Sequence, residues 1–131
     1  MSLRRQRRAL ATLGAAVVLL TGCGGVSDDE VSRLAEQFAG GDAATRCDLL
    51  APDTLAALVE EETSPCEDAI GAVPLGSGHL MSVAVWGEEA QAKLSDDTLF
   101  LTHTSAGWRV MAAACRSQGP DKPYDCRLEG S

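Results

Sequence analysis

Few side chains in this chain are of a type and spacing that could do chemistry. His79 and His103 are the only histidines, 24 residues apart and without a His-x-x-His or His-Glu pairing, a poor spacing for a metal centre or an acid–base pair. His103 alternates with Leu99 and Leu101 and reads as a strand residue near a sheet rim. There is no G-x-S-x-G nucleophile turn; Gly76-Ser77-Gly78 reads as a flexible loop. No glycine-rich loop joins a strand to a helix, which argues against nucleotide binding. Asp96-Asp97 fits a hairpin turn, since the spaced ligands of a calcium loop are missing. Glu60-Glu61-Glu62 ends a helix and reads as a solvated run, or as an acidic patch for a basic partner. No catalytic residue, metal ligand or cofactor is therefore assigned. Three candidates for ligand contact remain. Trp86 and Trp108 could line a pocket, or fill the core of an aromatic-poor protein. Arg109 is one charge in an apolar strand; it could meet an anion, or lay its stem over the sheet.

The cysteines carry a stronger signal, beginning with Cys23. A basic segment with Arg4, Arg5, Arg7 and Arg8 precedes the uncharged stretch Ala9–Leu20, and Leu20-Thr21-Gly22-Cys23 follows. The apolar stretch is 12 residues long. That matches a signal-peptide core and falls short of the roughly 18–20 residues that span a bilayer. The four-residue end is similar to the lipobox of bacterial lipoproteins. The resemblance implies that Cys23 receives a diacylglyceryl group and that a peptidase cuts between Gly22 and Cys23. Residues 1–22 are then a lipoprotein signal peptide, 23–26 a lipidated tether, and 27–131 a single domain. Its expected place is the outer face of the cytoplasmic membrane, where two acyl chains suffice for stable anchoring. Leu10 lies where a twin-arginine signal would want a hydrophobic residue after Arg7-Arg8, but the rest of that motif is missing. General secretion is the expected route.

Charge narrows the partners. The chain of 131 residues has 11 basic and 19 acidic side chains. Without the four leader arginines the basic residues number seven and the net charge is −12. Nucleic-acid binding is excluded as an expectation, because phosphate contacts need Lys and Arg. The apolar fraction of 45% is that of a globular domain. Disorder, collagen-like repeats and a multi-spanning membrane protein are set aside on the same ground.

Export changes how the other four cysteines read, because the space outside the membrane tolerates disulfides. Cys47, Cys66, Cys115 and Cys126 lack the close spacing of a metal site. Four cysteines allow three connectivities. Cys47 with Cys66 and Cys115 with Cys126 is preferred, since each pair joins neighbouring elements of one half of the chain.

The elements that must hold these residues follow from period and punctuation. Ser27-Asp28-Asp29-Glu30 has the form of a capping box, and Val31, Leu34, Ala35 and Phe38 make one apolar stripe behind it. Gly40-Gly41 stops that helix, and Asp42 can cap the next, with Ala43, Cys47, Leu50 and Ala51 inward. Pro52-Asp53 interrupts, and Leu55, Leu58 and Val59 mark a third helix. Ser64-Pro65-Cys66-Glu67 reads as a second capping box opening a helix over about 65–73. From residue 80 the period is two. Strands are expected over Leu80–Trp86, Ala90–Leu94, Thr98–His103 and Trp108–Cys115, the last with Trp108, Val110, Ala112 and Ala114 on one side. Arg116–Pro123 is a loop, and Tyr124–Leu128 a closing edge strand. Helices followed by an antiparallel meander of four or five strands make an α+β fold.

Cys47, Cys66, Trp86-Gly87, Gly107-Trp108-Arg109-Val110, Cys115 and Tyr124-Asp125-Cys126 together resemble the small extracytoplasmic lipoproteins of high-GC Gram-positive bacteria. Many of these have an NTF2-like or cystatin-like cone, and the resemblance implies a reduced version here. Some NTF2-like relatives are enzymes with an Asp base and a Tyr donor in the cone; the sole tyrosine here, Tyr124, lies beside Cys126. The leading expectation is a non-catalytic binding or interaction module with an envelope protein as partner. Second comes a binder of small apolar ligands on the concave sheet face, and third an isomerase- or hydratase-type enzyme. The oligomeric state is left open.

Overall fold

The computed structural model describes Gly14 and residues 24–131. The leader, the lipobox and Cys23 lie outside the described residues. The first helix, α1, runs Gly24–Gly40, followed by α2 (Ala43–Asp48), α3 (Pro52–Glu62) and α4 (Cys66–Ala69), which a short 3-10 turn extends over Ile70–Ala72. Five strands then follow: β1 (Leu80–Trp86), β2 (Glu89–Leu94), β3 (Thr98–Thr104), β4 (Gly107–Arg116) and β5 (Asp125–Glu129). They pair antiparallel in the order β1-β2-β3-β4-β5. The sheet is open, and the fold is α+β as the change of period indicates. No helix among the described residues is long and apolar enough to cross a membrane.

One core joins the helices to one face of the sheet. The predicted stripe of α1 (Val31, Leu34, Ala35, Phe38) is buried against Ala90, Ala92, Leu99, Leu101, Trp108 and Val110. The small alanines of β2 let α1 lie close. Ser27 caps nothing: α1 already runs from Gly24, so Ser27 sits inside its first turns and Gly24–Val26 are helical. Glycine costs helix about 1 kcal/mol but does not forbid it, and packing of the stripe outweighs that propensity. Asp42 does cap α2, its Oδ1 accepting from Thr45 N–H at 2.9 Å. That backbone bond holds its carboxyl below the usual carboxylate range. The second capping box does not form. Pro65 takes the N-cap position of α4 with no side-chain cap, and its carbonyl accepts from Asp68 and Ala69. Val59 also leaves the expected apolar face and is 37% exposed.

Strand β4 departs from simple alternation. Trp108 and Val110 face the core, opposite His103 and Leu101, but the register then shifts so that Ala112 pairs with Phe100. Ala112 and Ala114 therefore do not continue the Trp108–Val110 side; Ala113 does, opposite Leu128. The cause is tertiary. The segment joining α2 to α3 lies against β4, with Val110 N–H donating to Leu49 O and Ala51 N–H to Val110 O, both at 2.8 Å. The Met111 carbonyl, turned out of the β3 ladder, accepts from the buried Thr54 hydroxyl at 2.8 Å and from Gly130 N–H. A bulge of this kind re-aims a strand while its polar groups stay satisfied.

Candidate functional site

The sequence candidates do not converge. Residues directly opposite in an antiparallel pair share a face. Trp86 opposes Glu89, Glu89 opposes Thr102, and Thr102 opposes Arg109. These four side chains form one row across β1 to β4, on the face away from the helices. Within the row the Thr102 hydroxyl donates to Glu89 Oε1 at 3.2 Å. Trp86 is 52% exposed at its end. The next row down is Ala84, Gln91, Phe100 and Ala112, and Tyr124 packs edge-on against Phe100 with ring centroids 5.1 Å apart.

Trp108 belongs to the opposite face. It is 5% exposed and meets His103 edge to face at 5.1 Å. It lines a shallow groove of about 360 Å³, bounded also by Glu30, Arg33 and Gln37 of α1 and by His103 and Arg109. The Arg109 guanidinium is steadied by a 2.7 Å bond from Nη1 to the Trp108 carbonyl. Arg109 thus stands at the sheet margin, its backbone in the outer row and its guanidinium at the groove.

A third region was not legible as a unit. Asp97 and Asp96, in the turn between β2 and β3, accept six backbone N–H groups. Asp97 takes those of Gly76 (3.2 Å), Thr98 (2.7 Å), Ala114 (3.1 Å) and Cys115 (3.0 Å). Asp96 takes those of Ser77 (3.1 Å) and Gly78 (2.8 Å). The bonds from Ser77 and Gly78, helped by the Arg46 charge, hold the Asp96 carboxyl below the usual range. Gly76-Ser77-Gly78 is therefore pinned, not flexible. Its glycines are required by close approach: a Cβ on Gly76 would run into Asp97 Cβ, and one on Gly78 into Ser95 Oγ. Arg46 locks the same loop from the helical side. It donates to Gly76 O at 3.2 Å and to Phe38 O and Ala39 O at 2.8 Å, with its guanidinium over the Phe38 ring. The acidic pair does occupy a hairpin turn, but its carboxylates serve as acceptors for distant backbone. Beside it lies a cleft of about 390 Å³ bounded by Pro74, Arg116, Asp125 and Arg127.

The structure joins Cys47 to Cys66 and Cys115 to Cys126. The first bridge ties α2 to α4; the second links β4 to β5 directly beside the Asp97 clamp. Among the described residues no group of three or more His, Cys, Asp or Glu side chains could hold a metal ion. Comparison with protein-family models, with curated proteins and with solved structures gives no match.

Sequence reasoning missed Asp97, Arg46 and the Glu89–Thr102 link. The outer row could have been found by counting register outward from the Gly87-Glu88 and Ser105-Ala106-Gly107 turns. The clamp had no such signal, since its partners lie 17 to 21 positions away.

Proposed function

We propose that this chain is a lipoprotein of the cell envelope, anchored through Cys23 on the outer face of the cytoplasmic membrane, whose domain is a non-catalytic interaction module. The support for anchoring is the ordered leader: arginines, apolar core, and Leu20-Thr21-Gly22-Cys23. The observation that carries the module reading is the row Trp86, Glu89, Thr102 and Arg109 on the sheet face that none of the described helices covers. An indole, a carboxylate and a hydroxyl in register, with the Arg109 stem at the end of the row, offer both apolar area and directed polar contacts, the composition of an interface centre. The helical face, by contrast, is filled with side chains.

Replacing Cys23 with Ala and fractionating cells tests the anchor: the variant should keep its leader and run at the unprocessed size. Retention in the membrane at the processed size would reject it. Cross-linking with the anchor intact should recover an envelope protein from the wild type and lose it in Trp86→Ala/Arg109→Ala. Turnover of a small substrate by the full chain, abolished by Arg109→Ala or His103→Ala, would replace the module with an enzyme.

The groove beside Trp108 favours a second reading, a small ligand with an anionic group. Arg33 and Arg109 meet there beside His103, against the single carboxylate of Glu30, in a domain that is otherwise strongly acidic. Saturable heat on titration with inorganic phosphate or a dicarboxylate, lost in Arg109→Ala, would support it. An apolar ligand on the concave sheet face is less favoured, because that face is occupied by the helices.

A further inference from the structure

The two edges of the sheet differ. Strand β5 carries Asp125, Arg127 and Glu129 in five residues, and charged side chains of that kind keep an edge from pairing with another chain. Strand β1, Leu80-Met81-Ser82-Val83-Ala84-Val85-Trp86, has seven residues with no charge and no proline. None of its residues is fully buried, and Met81 is 66% exposed. Among the described residues, no hydrogen bond joins its backbone to anything but β2. An edge of this length with open donors and acceptors is a template for one more strand.

We propose that the partner at this edge is a second copy of the chain, β1 pairing antiparallel with β1 about a two-fold axis at Ala84. In that register Ala84 opposes Ala84 of the copy, Val83 opposes Val85 on the core side, and Ser82 opposes Trp86 on the outer side. The indole lies over the smallest polar side chain of the strand, and valine meets valine. The uncharged, self-matching pattern of β1 selects this occupant. Two acidic domains repel over most of their surfaces, whereas β1 brings no charge to the contact. Neither a basic nor an acidic strand would find an ion partner there. Head-to-tail pairing of β1 with β5 would set Asp125 or Glu129 against apolar side chains, while the two-fold arrangement closes and leaves only the charged β5 edges outside. The product is one ten-stranded sheet with both outer rows on the same side. This inference does not depend on the Cys23 anchor or on an envelope partner.

The test uses the full-length chain with Ala84→Cys, and Lys93→Cys as control. Both positions are exposed on the outer face, but across the two-fold the Lys93 positions lie three strand spacings apart and are displaced along the strands as well, roughly 19 Å in all, beyond disulfide reach. Ala84→Cys should give about tenfold more covalent dimer on a non-reducing gel than Lys93→Cys, because only its thiols are brought within bonding distance. Without added cysteine, the wild type should sediment as a dimer. Ala84→Lys should sediment as a monomer with unchanged far-UV circular dichroism. A monomeric wild type, or equal dimer yields from the two cysteine variants, would overturn the proposal, as would a wild-type dimer that Ala84→Lys leaves intact.

Discussion

Strand β3 has a short turn at each end, and the two turns work by opposite means. The Ser105-Ala106-Gly107 turn is self-contained. Thr104 Oγ1 donates to Gly107 O at 2.8 Å and accepts from Ala106 N–H at 3.1 Å, while Gly107 takes the positive φ of 100° that closes the turn. Everything it needs lies within four residues. The Ser95-Asp96-Asp97 turn instead reaches outward, its carboxylates binding the loop before β1 and the far end of β4. One turn only reverses the chain; the other holds three parts of the molecule in register. In sequence both are short serine-led runs between strands.

The sharpest way to break this comparison is to remove the two anchoring side chains in turn. Asp97→Ala leaves four backbone donors without their acceptor. It should cost roughly 3 kcal/mol or more in urea unfolding. Thr104→Ala should cost about 0.5–1 kcal/mol, since only two neutral bonds within a single turn are lost. Equal losses would mean that the clamp contributes no more than an ordinary turn.

Removing a disulfide comes next. Cys115→Ser/Cys126→Ser should cost about 3 kcal/mol by the loop-entropy account, and so should Cys47→Ser/Cys66→Ser. The two should part company when each is combined with Asp97→Ala. Cys115 N–H is itself a ligand of Asp97, so the β4–β5 bridge and the clamp should be coupled by about 1 kcal/mol. The α2–α4 bridge should add independently. Additivity in both cycles would show that the bridge and the clamp do not share strain.

Acid should loosen the outward-reaching turn first. The Asp96 carboxyl is held below its usual range in the folded state, so its contribution is present above the unfolded value and lost as pH falls through the folded one. Stability should therefore drop below about pH 4, and Asp96→Asn should flatten that slope. Hydrogen exchange at Ser77 and Gly78 should quicken in the same window, while Ala106 should be unaffected. The smallest effect concerns Ala114, which adopts φ 52° so that its N–H and that of Cys115 both point at Asp97. Ala114→Gly should stabilise by about 0.5 kcal/mol, because glycine adopts that region without a Cβ penalty. Destabilisation would show that the methyl's packing matters more than the strain.

Much of the architecture was legible because it rests on local periodicity. The stripe Val31, Leu34, Ala35, Phe38 and the alternation of β1 to β3 each repeat within a few residues, and burial enforces them. The Asp42 cap was legible because donor and acceptor lie three positions apart. The start of α1 and the N-terminus of α4 were not. At Ser27 and Ser64 a capping pattern competes with packing and with Pro65, and the local signal is worth only about 1 kcal/mol. The candidate contacts separated for a similar reason: Trp86 and Trp108 differ in strand and parity, and their opposite faces depend on register, not on residue type.

Helices that precede a meander, cysteines placed to bridge neighbouring elements, and an acidic stretch behind a basic N-terminal segment are properties of this sequence by itself. They arise from hydrophobic period, covalent reach and net charge, each read from nearby residues or from totals. Only the tertiary structure decided that Asp97 would bind Ala114 and Cys115, that Arg46 would seize Gly76, and that β4 would bulge at Met111. A carboxylate or guanidinium satisfies whichever backbone groups folding leaves unpaired beside it, and the identity of those groups is set by the packing of distant segments. The uncharged β1 edge shows the same division. Its composition is plain in the sequence, but that it lies at an edge is known only once the strands are ordered.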